Sequence, residues 1–571
     1  MNSPQHRKSR VRLPGLGALT LGLLQLAGPP FASAVPVSQQ NVAKAVETWV
    51  RHVTAEARPD AVVERTEPYV EKGVTMAYVA HLANGGYCLA GADSLVLPVY
   101  FYCPKGTYNP RNPELRWMLR DTAERQRTLQ SAAIKGGAAA ESLQAELSRR
   151  ARLWEDLASG KAPAGGGARP LGQPVPRGGT APKGGPVPQG NPTGPVSMSV
   201  PLTSQWSQSQ PFDDDCPTLP AGQTPTGANL TDVGCVATAT SQLMYYWRWP
   251  DSGVGSGSKT YTYDGTSTPL TTPLASNPGI PSSFADNLSW ANGVLTMKGW
   301  WDGSVLGVAQ GFNSSDKAYQ DALNTLYGRL TAHTKALTAD FTVPINWSAM
   351  QDTYTNADAV PVNASETAVA QLCAEVGVAV LMNYGLDGSS TGNDQIPPAL
   401  VNNFRYDPAA GDFIGPDTNQ MVVDIQWLRP CFLSGWRTSD GAAHVWLAYG
   451  YNMGTSPWQF KMNLGWGPGS SGWYSFEDAP TGQPNNSNNL TNGMSAATGY
   501  APLKVVGFVG ASTPGDGSPN SPYQNIEQAI ANAPDNATLI FQAGTVIKLP
   551  SVPLTINRPL TLKGYLVTIT H

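Results

Sequence analysis

The amino-acid sequence predicts an α+β protein, and two features of its pattern support this class. Apolar residues recur at helical spacing in separate stretches, such as 40–57 and 236–246. Short apolar runs typical of strands lie elsewhere, notably at 75–82, at 94–102 and between 444 and 476. The chain therefore contains both helices and strands, and the strand-like runs between 444 and 476 follow one another without an intervening helix, as in an α+β fold.

The composition indicates a secreted protein rich in loops. Only 14% of the 571 residues are charged, whereas Gly (59) and Pro (49) are abundant. The formal net charge is -4, and no long basic run follows the N-terminal region. Both features argue against nucleic acid as a partner.

Residues 1–34 have the pattern of a secretory signal. A basic stretch (6–12) precedes the apolar run Leu13–Ala27, and Ala32-Ser33-Ala34 fits the small-x-small cleavage rule. The apolar run is shorter than the ~20 residues that a membrane span needs. We therefore expect cleavage near Val35, secretion, and no stable membrane anchor.

The rest of the chain divides into four predicted parts. Residues 35–158 read as a small α/β unit, and residues 159–196 as a flexible linker rich in Gly and Pro. Residues 197–503 form the largest part and are rich in aromatic side chains. In residues 504–571 the patterns Leu539-x-Phe541 and Leu560-x-Leu562 recur at about the period of one solenoid coil.

Six cysteines are present, an even number that permits three disulfides in a secreted protein. Cys88 and Cys103 lie on or beside neighbouring strand-like runs and are candidates for one bond. A catalytic Cys235 would have to remain free, so the pairing of the others stays open. No CxxC or HxxxH spacing occurs, which argues against a structural zinc site.

Cys235 is the candidate nucleophile. It follows Gly234 and precedes a helical run in which Val236, Ala239 and Leu243 share one side, and which Pro250 ends. In a first helical turn, the free N–H groups and the helix dipole favour a thiolate. The alternative is a small buried apolar residue, as most free cysteines are.

His444 and Asn463 form the second part of the candidate site. The turn 452–455 separates their strands, and the midpoint between the two residues falls inside it. A symmetric hairpin would place them opposite each other, so that the amide orients the imidazole. Upstream, the side chain of Gln208 can donate to an oxyanion formed beside Cys235. The alternatives are a core histidine and a polar surface loop.

Together these motifs resemble the streptopain family of secreted bacterial cysteine peptidases. The resemblance extends from residue 197 to about residue 500. The motifs that carry it are Trp206-x-Gln208-x-x-Pro211-Phe212, Gly234-Cys235-Val236-Ala237-Thr238-Ala239, Val380-Leu381-Met382-Asn383-Tyr384-Gly385, His444 with Gly450-Tyr451, Asn463-Leu464-Gly465-Trp466-Gly467, and Gly472-Trp473-Tyr474-Ser475-Phe476.

The resemblance implies a papain-like, two-subdomain cysteine peptidase that acts on proteins or peptides without a metal or organic cofactor. It implies that Cys235 is the nucleophile and His444 the general base, with Gln208 in the oxyanion hole. Asn463 and Trp466 would orient and shield the histidine. The residues that it implies along the substrate cleft are Tyr384, Ser389 and Ser390.

The flanking parts show resemblances of their own. Residues 70–130, with Gly85-Gly86-Tyr87 and Asn109-Pro110-Arg111-Asn112-Pro113, resemble the family's inhibitory propeptide. We therefore interpret 35–158 as a propeptide that inhibits its own peptidase. The C-terminal 504–571 resembles the opening coil of a right-handed parallel β-helix.

Two departures from the family pattern keep alternatives open. Ala443 stands where the family usually has glycine, and Leu464 where it usually has tryptophan. These changes allow a catalytically impaired, peptidase-like protein that serves in binding or adhesion. A transpeptidase on the same scaffold is a second alternative. The residues do not define the natural substrate, the P2 preference, the activation site, the disulfide pairing or the oligomeric state.

Overall fold

The structure is a computed structural model of the chain. The residues that it describes are 34–54, 56–110, parts of 115–130, 138–162, 194–218, 224–227, 230–261, 288–291, 294–298, 305–310, 335–355, 358–385, 388–408, 411, 417–436, 443–455, 458–475, 492–502, 506–509, 514–517, 522–549 and 554–570. The signal segment, except for Ala34, and most of the linker predicted from the sequence lie outside these ranges.

Helices are found in all three parts of the described chain. Those of seven or more residues are α1 (Gln39–His52), α2 (Ala138–Ala158), α3 (Cys235–Trp247), α4 (Ala364–Ala379), α5 (Thr418–Gln426) and α6 (Ile526–Asn532). Short helical turns follow one another at Asn393–Gln395, Ile396–Pro398 and Ala399–Asn403. Within the described ranges, no helix combines the length and the apolar run that crossing a membrane requires.

Strands make up the rest of the regular structure. They are β1 (Val63–Glu71), β2 (Val74–Leu82), β3 (Tyr87–Gly91), β4 (Val99–Cys103), β5 (Ser197–Ser199), β6 (Ser256–Tyr261), β7 (Leu288–Ala291), β8 (Val294–Lys298), β9 (Val305–Gln310), β10 (Lys335–Asp340), β11 (Cys431–Trp436), β12 (Ala443–Asn452), β13 (Gln459–Asn463), β14 (Ser471–Ser475), β15 (Asn492–Ala497), β16 (Val506–Val509), β17 (Thr538–Phe541), β18 (Val546–Lys548), β19 (Thr561–Gly564) and β20 (Thr568–Thr570). The predicted α+β class is confirmed.

One sheet runs through the N-terminal and central parts of the chain. It has 10 strands in the order β1-β2-β3-β4-β14-β13-β12-β11-β15, with β5 paired to β12. All of its pairs are antiparallel. The two parts meet where β4 pairs with β14, at Trp473 opposite Tyr102 and Tyr474 opposite Phe101. The N-terminal unit therefore extends the sheet of the central part.

The N-terminal strands bury a different core on each face, because neighbouring side chains of a strand point in opposite directions. On β3, Tyr87 and Leu89 join the main core. Cys88 and Ala90 instead join a smaller core that also contains the buried side chains of α1. The main core continues into the central part, where it includes the apolar residues of α3 and α4.

The same alternation corrects the expectation that Cys88 and Cys103 form a disulfide. The two residues lie on paired strands, but Cys103 is opposite Tyr87 and Cys88 is opposite Tyr102. An offset of one residue turns the two side chains to opposite faces of the sheet. Cys103 accordingly packs in the main core and Cys88 in the smaller one. All six cysteines are free thiols.

Helix α4 also differs from the expectation. The sequence pattern predicted a helix ending near Gly377 and then a strand over Val378–Met382. The helix begins after Asn363, whose side chain accepts hydrogen bonds from two backbone N–H groups, and it continues to Ala379. A turn follows, in which the Met382 N–H donates to the Gly377 carbonyl at 2.9 Å. Met382 is thus placed by the end of a helix, not by a strand.

The C-terminal part contains parallel strands, as a solenoid coil requires. β16, β17 and β19 form one parallel sheet, and β18 and β20 form a second. Leu539 pairs with Leu562, so the offset between paired strands is two residues longer than the spacing of the two recurring patterns. Closure of these strands into a right-handed β-helix stays a prediction.

The free thiols lead to a direct test. We expect iodoacetamide to modify all six cysteines of the denatured, unreduced protein, because Cys88 and Cys103 face different cores. Intact mass before and after alkylation measures the number of modified residues. A pre-reduced sample serves as the control, and a deficit of two modifications relative to it would show that a disulfide had formed.

Candidate active site

The nucleophile candidate lies at the start of α3, as the sequence predicted. Cys235 is the first residue of the helix and Gly234 is its N-cap. Gly234 has φ 85°, which a residue with a side chain rarely adopts. A Cβ at this position would lie 2.7 Å from the Met382 side chain and 2.9 Å from the Ser389 carbonyl oxygen. The glycine therefore lets the helix begin directly against the 382–390 segment.

The sulfur of Cys235 lies at strand β12, next to His444. The backbone N–H groups of Val445, Val236 and Cys235 itself lie close enough to the sulfur to favour its charged form. Val445 follows His444 directly in β12, whose residues are buried from His444 onward. The start of the helix thus brings Cys235 to the strand that carries His444. Cys235 is partly exposed, whereas the other five cysteines are buried.

His444 is 6% exposed and is held by a backbone group. Its Nε2 lies 2.8 Å from the carbonyl oxygen of Leu464. A carbonyl oxygen can only accept, so Nε2 carries the hydrogen and Nδ1 retains the lone pair. Nδ1 is therefore the ring nitrogen that is available as a base.

The predicted pairing of His444 with Asn463 is wrong. Asn463 lies opposite Leu447, and the register shifts between Ala448 and Gly450. A bulge there shifts the register by one residue, but the hairpin is already centred about two residues beyond the predicted turn, because Asn452 pairs with Gln459. If the register after the bulge continued, the residue opposite His444 would be Trp466. The Asn463 amide instead donates to the Ser204 carbonyl and to the Gln242 side chain, both at 2.7 Å.

Two tryptophans enclose the His444 ring. The Trp466 ring stacks on it at a centroid distance of 4.5 Å, and the Trp446 ring stacks at 5.7 Å. Trp446 is two residues from His444 on the same strand and so shares its face. The sequence analysis missed Trp446, although that spacing of two could have revealed it. Trp446 supplies an aromatic surface despite the leucine at position 464.

Burial keeps the candidate pair uncharged in this arrangement. Burial raises the pKa of the Cys235 thiol, and the three N–H donors oppose this effect. Burial lowers the pKa of His444 to about 4, and the hydrogen bond to Leu464 opposes the change. Desolvation therefore opposes the thiolate that the helix terminus is expected to favour.

Gln208 lies beside the start of α3. Its carbonyl oxygen accepts a hydrogen bond of 2.9 Å from the N–H of Val233, two residues before Cys235. The residue is partly exposed. The backbone thus holds the residue that was predicted to supply an oxyanion donor close to the candidate nucleophile.

The three predicted cleft residues differ in exposure. Ser389 and Tyr384 are buried, and Ser390 is exposed. The Ser389 hydroxyl donates to the Asp232 carbonyl at 2.5 Å. Ser390 and Asn383 exchange two backbone hydrogen bonds of 2.9 Å. The 382–390 segment borders the start of α3. Of the three predicted cleft residues, Ser390 alone presents its side chain to solvent.

Comparisons with known proteins show that this part of the chain is similar to known cysteine peptidases. Residues 206–285 and 316–474 match the family model described as "Peptidase C10 family". Streptopain of Streptococcus pyogenes serotype M1 is 24% identical over 280 residues, which cover 47% of this chain and 52% of the relative. Streptopain of serotype M28 gives the same values. The predicted resemblance to the streptopain family is confirmed, and the chain spans about half the length of these curated relatives.

Two solved structures from Prevotella intermedia are also similar. A cysteine-to-alanine mutant of a prointerpain A fragment has 18% identity and a TM-score of 0.42, covering 76% of this chain and 98% of the fragment. The active wild-type interpain A cysteine protease has 21% identity and a TM-score of 0.32, covering 54% of this chain and 97% of its own.

Two buried acidic residues lie in the sequence between Gln208 and Cys235. Asp213 and Asp214 are 3% and 6% exposed, and one oxygen of Asp213 and both of Asp214 have no hydrogen-bond partner. Burial raises the pKa of Asp213 to about 8, and Asp214 and Asp232 add to the shift. Burial raises the pKa of Asp214 to about 7, with Asp215, Glu366 and Asp358 contributing. Both carboxyl groups are therefore protonated in mildly acidic solution.

The raised pKa of Asp213 predicts the pH dependence of stability. The raised pKa lets the folded protein hold this proton up to a pH of about 8, whereas an unfolded aspartate releases it near its ordinary pKa of 3.8. Stability from this group is complete below pH ~4 and is lost as the pH rises towards ~8. We expect Asp213→Asn to raise the melting temperature relative to wild type by a few degrees at pH 8.5, and much less at pH 5.

Differential scanning fluorimetry across this pH range tests the expectation. Asp340→Asn is the matched control, because Asp340 is exposed and hydrogen bonds from Thr342 lower its pKa. Its melting temperature should keep a constant offset from wild type between pH 5 and 8.5. An equally constant offset for Asp213→Asn would contradict the assignment of a protonated, buried carboxyl.

Proposed function

We propose that the chain is the zymogen of a secreted, papain-like cysteine endopeptidase. The observation that carries the proposal is the placement of Cys235, the first residue of α3, against the N–H of Val445, next to His444. The signal pattern of residues 1–34 supports secretion. The proposed parts are the signal (1–34), propeptide (35–158), linker (159–196), peptidase (197–503) and C-terminal β-helix-like segment (504–571).

The reaction that this site would perform is hydrolysis through an acyl-enzyme. A proton moves from the Cys235 sulfur to Nδ1 of His444, and the thiolate attacks the peptide carbonyl carbon to form a C–S bond. The Cys235 N–H and the Gln208 amide would hold the resulting oxyanion. The imidazolium then gives its proton to the leaving amine as the C–N bond breaks.

The second half of the reaction restores the enzyme. His444 takes a proton from water, and the hydroxide formed attacks the thioester carbon. The C–S bond breaks, the new carboxylic acid leaves, and the sulfur regains its proton from the imidazolium. The stacked rings of Trp446 and Trp466 would limit access of other water to the imidazole.

Contacts between the N-terminal unit and the peptidase support an inhibitory propeptide. The Tyr87 hydroxyl donates to the Gly469 carbonyl at 2.6 Å, three residues beyond the Trp466 that stacks on His444. Lys461 of β13 forms an ion pair with Glu56. With the pairing of β4 and β14, these contacts hold the unit beside the candidate base. In the proposed zymogen, cleavage of the linker releases it.

The Gly/Pro-rich linker supports self-processing. Its ~35 residues span about 30–35 Å as a flexible chain, which is enough to reach a cleft on the same molecule. We expect the purified wild-type precursor to shorten with time, with a new N-terminus between 159 and 197. Cys235→Ala should remain full length because it lacks the nucleophile, yet trace mature enzyme should still cleave it. Gel analysis and N-terminal sequencing follow the wild-type precursor and the variant. Maturation of purified Cys235→Ala at the wild-type rate would exclude self-processing.

A glycine on β14 allows the inhibitory contact to be tested separately. A Cβ at Gly472 would overlap the Tyr102 carbonyl oxygen and the Phe101 ring, which both belong to β4. We expect Gly472→Ala to loosen the propeptide, so that an epoxide thiol inhibitor labels Cys235 of the intact precursor about tenfold faster than in wild type. Intact mass spectrometry measures the labelling before any cleavage.

Gly411→Ala is the matched control for this experiment. A Cβ at Gly411 would make only an ordinary contact of 3.6 Å with the Thr498 carbonyl oxygen. This variant should label at the wild-type rate. If Gly472→Ala also labels at that rate while its β4–β14 contact is lost, judged by hydrogen exchange at Phe101–Cys103, the propeptide does not cover the site.

A further inference from the structure

One face of α3 carries a fully buried glutamine in line with the candidate nucleophile. Cys235, Thr238 and Gln242 follow the spacing i, i+3, i+7 and therefore lie on one side of the helix. Gln242 is 0% exposed. This side faces the loop after β13, because a Cβ at Gly465 would lie 3.1 Å from Thr238 and 3.7 Å from the Gln242 amide nitrogen.

Gln242 and Asn463 form a reciprocal amide pair. Nδ2 of Asn463 donates to Oε1 of Gln242 at 2.7 Å, and Nε2 of Gln242 donates to Oδ1 of Asn463 at 3.4 Å. Asn463 also donates to the Ser204 carbonyl at 2.7 Å and accepts from the Gly465 N–H at 2.9 Å. Both donors and both acceptor positions of the Asn463 amide are thus occupied, so this side chain reaches His444 only through the loop.

The loop that this pair fixes is the one that holds the imidazole. Leu464, whose carbonyl accepts from His444, and Trp466, whose ring stacks on it, flank Gly465. Gln242 also accepts from the N–H of Trp206 at 3.4 Å. Trp206 lies two residues before Gln208. One side chain on the nucleophile's helix therefore contacts the supports of both the candidate base and the candidate oxyanion donor.

We propose that Gln242 is a positioning residue that sets the base and the oxyanion donor relative to Cys235. The inference rests on the proposed function. The Gln242–Asn463 pair is directional and lies in the dry core, where each lost partner leaves a buried polar group unpaired. Without it, the loop 463–466 keeps its chain connection to β13 but loses its polar attachment to α3. Displacements of about 1 Å at a reacting group cost up to ~100-fold in rate.

The test compares two buried glutamines in the full-length chain, matured by trace trypsin at the basic residues of the linker. Gln242→Leu removes the amide at the site. Gln426→Leu is the matched control, because Gln426 is also 0% exposed but bonds to Tyr451, near the far end of β12 from His444, and to Gln542 of the C-terminal segment. We expect Gln242→Leu to lower kcat on a fluorogenic peptide by about 10- to 100-fold with KM within about twofold of wild type. Gln426→Leu should lose a similar amount of thermal stability and keep its kcat.

Exchange of the two side chains separates positioning from simple loss of stability. Gln242→Asn alone shortens one arm of the pair and should reduce kcat. Adding Asn463→Gln restores the combined length, and we expect it to recover most of the lost kcat. If Gln242→Leu fails to fold, this rescue still tests whether Gln242 is a positioning residue.

The outcomes distinguish this inference from the proposed function. An active wild-type enzyme with unchanged kcat in Gln242→Leu, or with no rescue by the double exchange, overturns the role of Gln242 alone. A wild-type chain that neither hydrolyses peptides nor reacts at Cys235 with the epoxide inhibitor overturns the proposed function, and the role of Gln242 falls with it.

Discussion

The contact between the first turn of α3 and strand β12 is the constraint on which the rest of the candidate site depends. The N–H of Val445 reaches the Cys235 sulfur across this contact, and His444 is the preceding residue of the same strand. A helix can start this close to the 382–390 segment only because Gly234 has no side chain. The helix is then held along its length by Gln242, and the ring by Leu464 and Trp466. Each of these contacts further restrains the position of Cys235 relative to His444.

Burial disfavours the charged, reactive forms of Cys235 and His444. It opposes a charge on either partner, raising the pKa of Cys235 and lowering that of His444 to about 4. Transfer of one proton from sulfur to ring creates both charges at once, and their attraction offsets part of the desolvation. In the proposed zymogen, release of the N-terminal unit would admit water and lower the remaining cost. A single structural event, separation of β4 from β14, would then change both access to the site and its protonation state.

Local pattern predicted the parts of the site, and non-local geometry decided how they meet. Helical spacing and the position after Gly234 placed Cys235 correctly, since both depend on near neighbours. The hairpin register failed because Asn452 pairs with Gln459, which centres the hairpin about two residues beyond the predicted turn, and no composition signal marks that loop length. The Cys88–Cys103 expectation failed for a related reason, since an offset of one residue decides which face a side chain occupies. The pairing of β4 with β14 joins segments more than 350 residues apart, a separation that periodicity within short windows does not address.

The C-terminal segment also depends on contacts with residues that are distant in the sequence. The few parallel strands of this segment bury too little apolar surface to be stable alone, and the segment shares a core with the central part of the chain. Phe508 and Ile540 belong to the main core, and the Phe508 ring packs edge-on against Trp427 at 5.6 Å. The N–H of Ala543 donates to the Gln426 carbonyl at 2.9 Å, and a Cβ at Gly544 would touch Pro195, at the end of the linker. The segment thus lies where the peptidase would begin after processing, so its packing helps to fix that new terminus. On β19 and β20, by contrast, Leu562 and Ile569 are exposed.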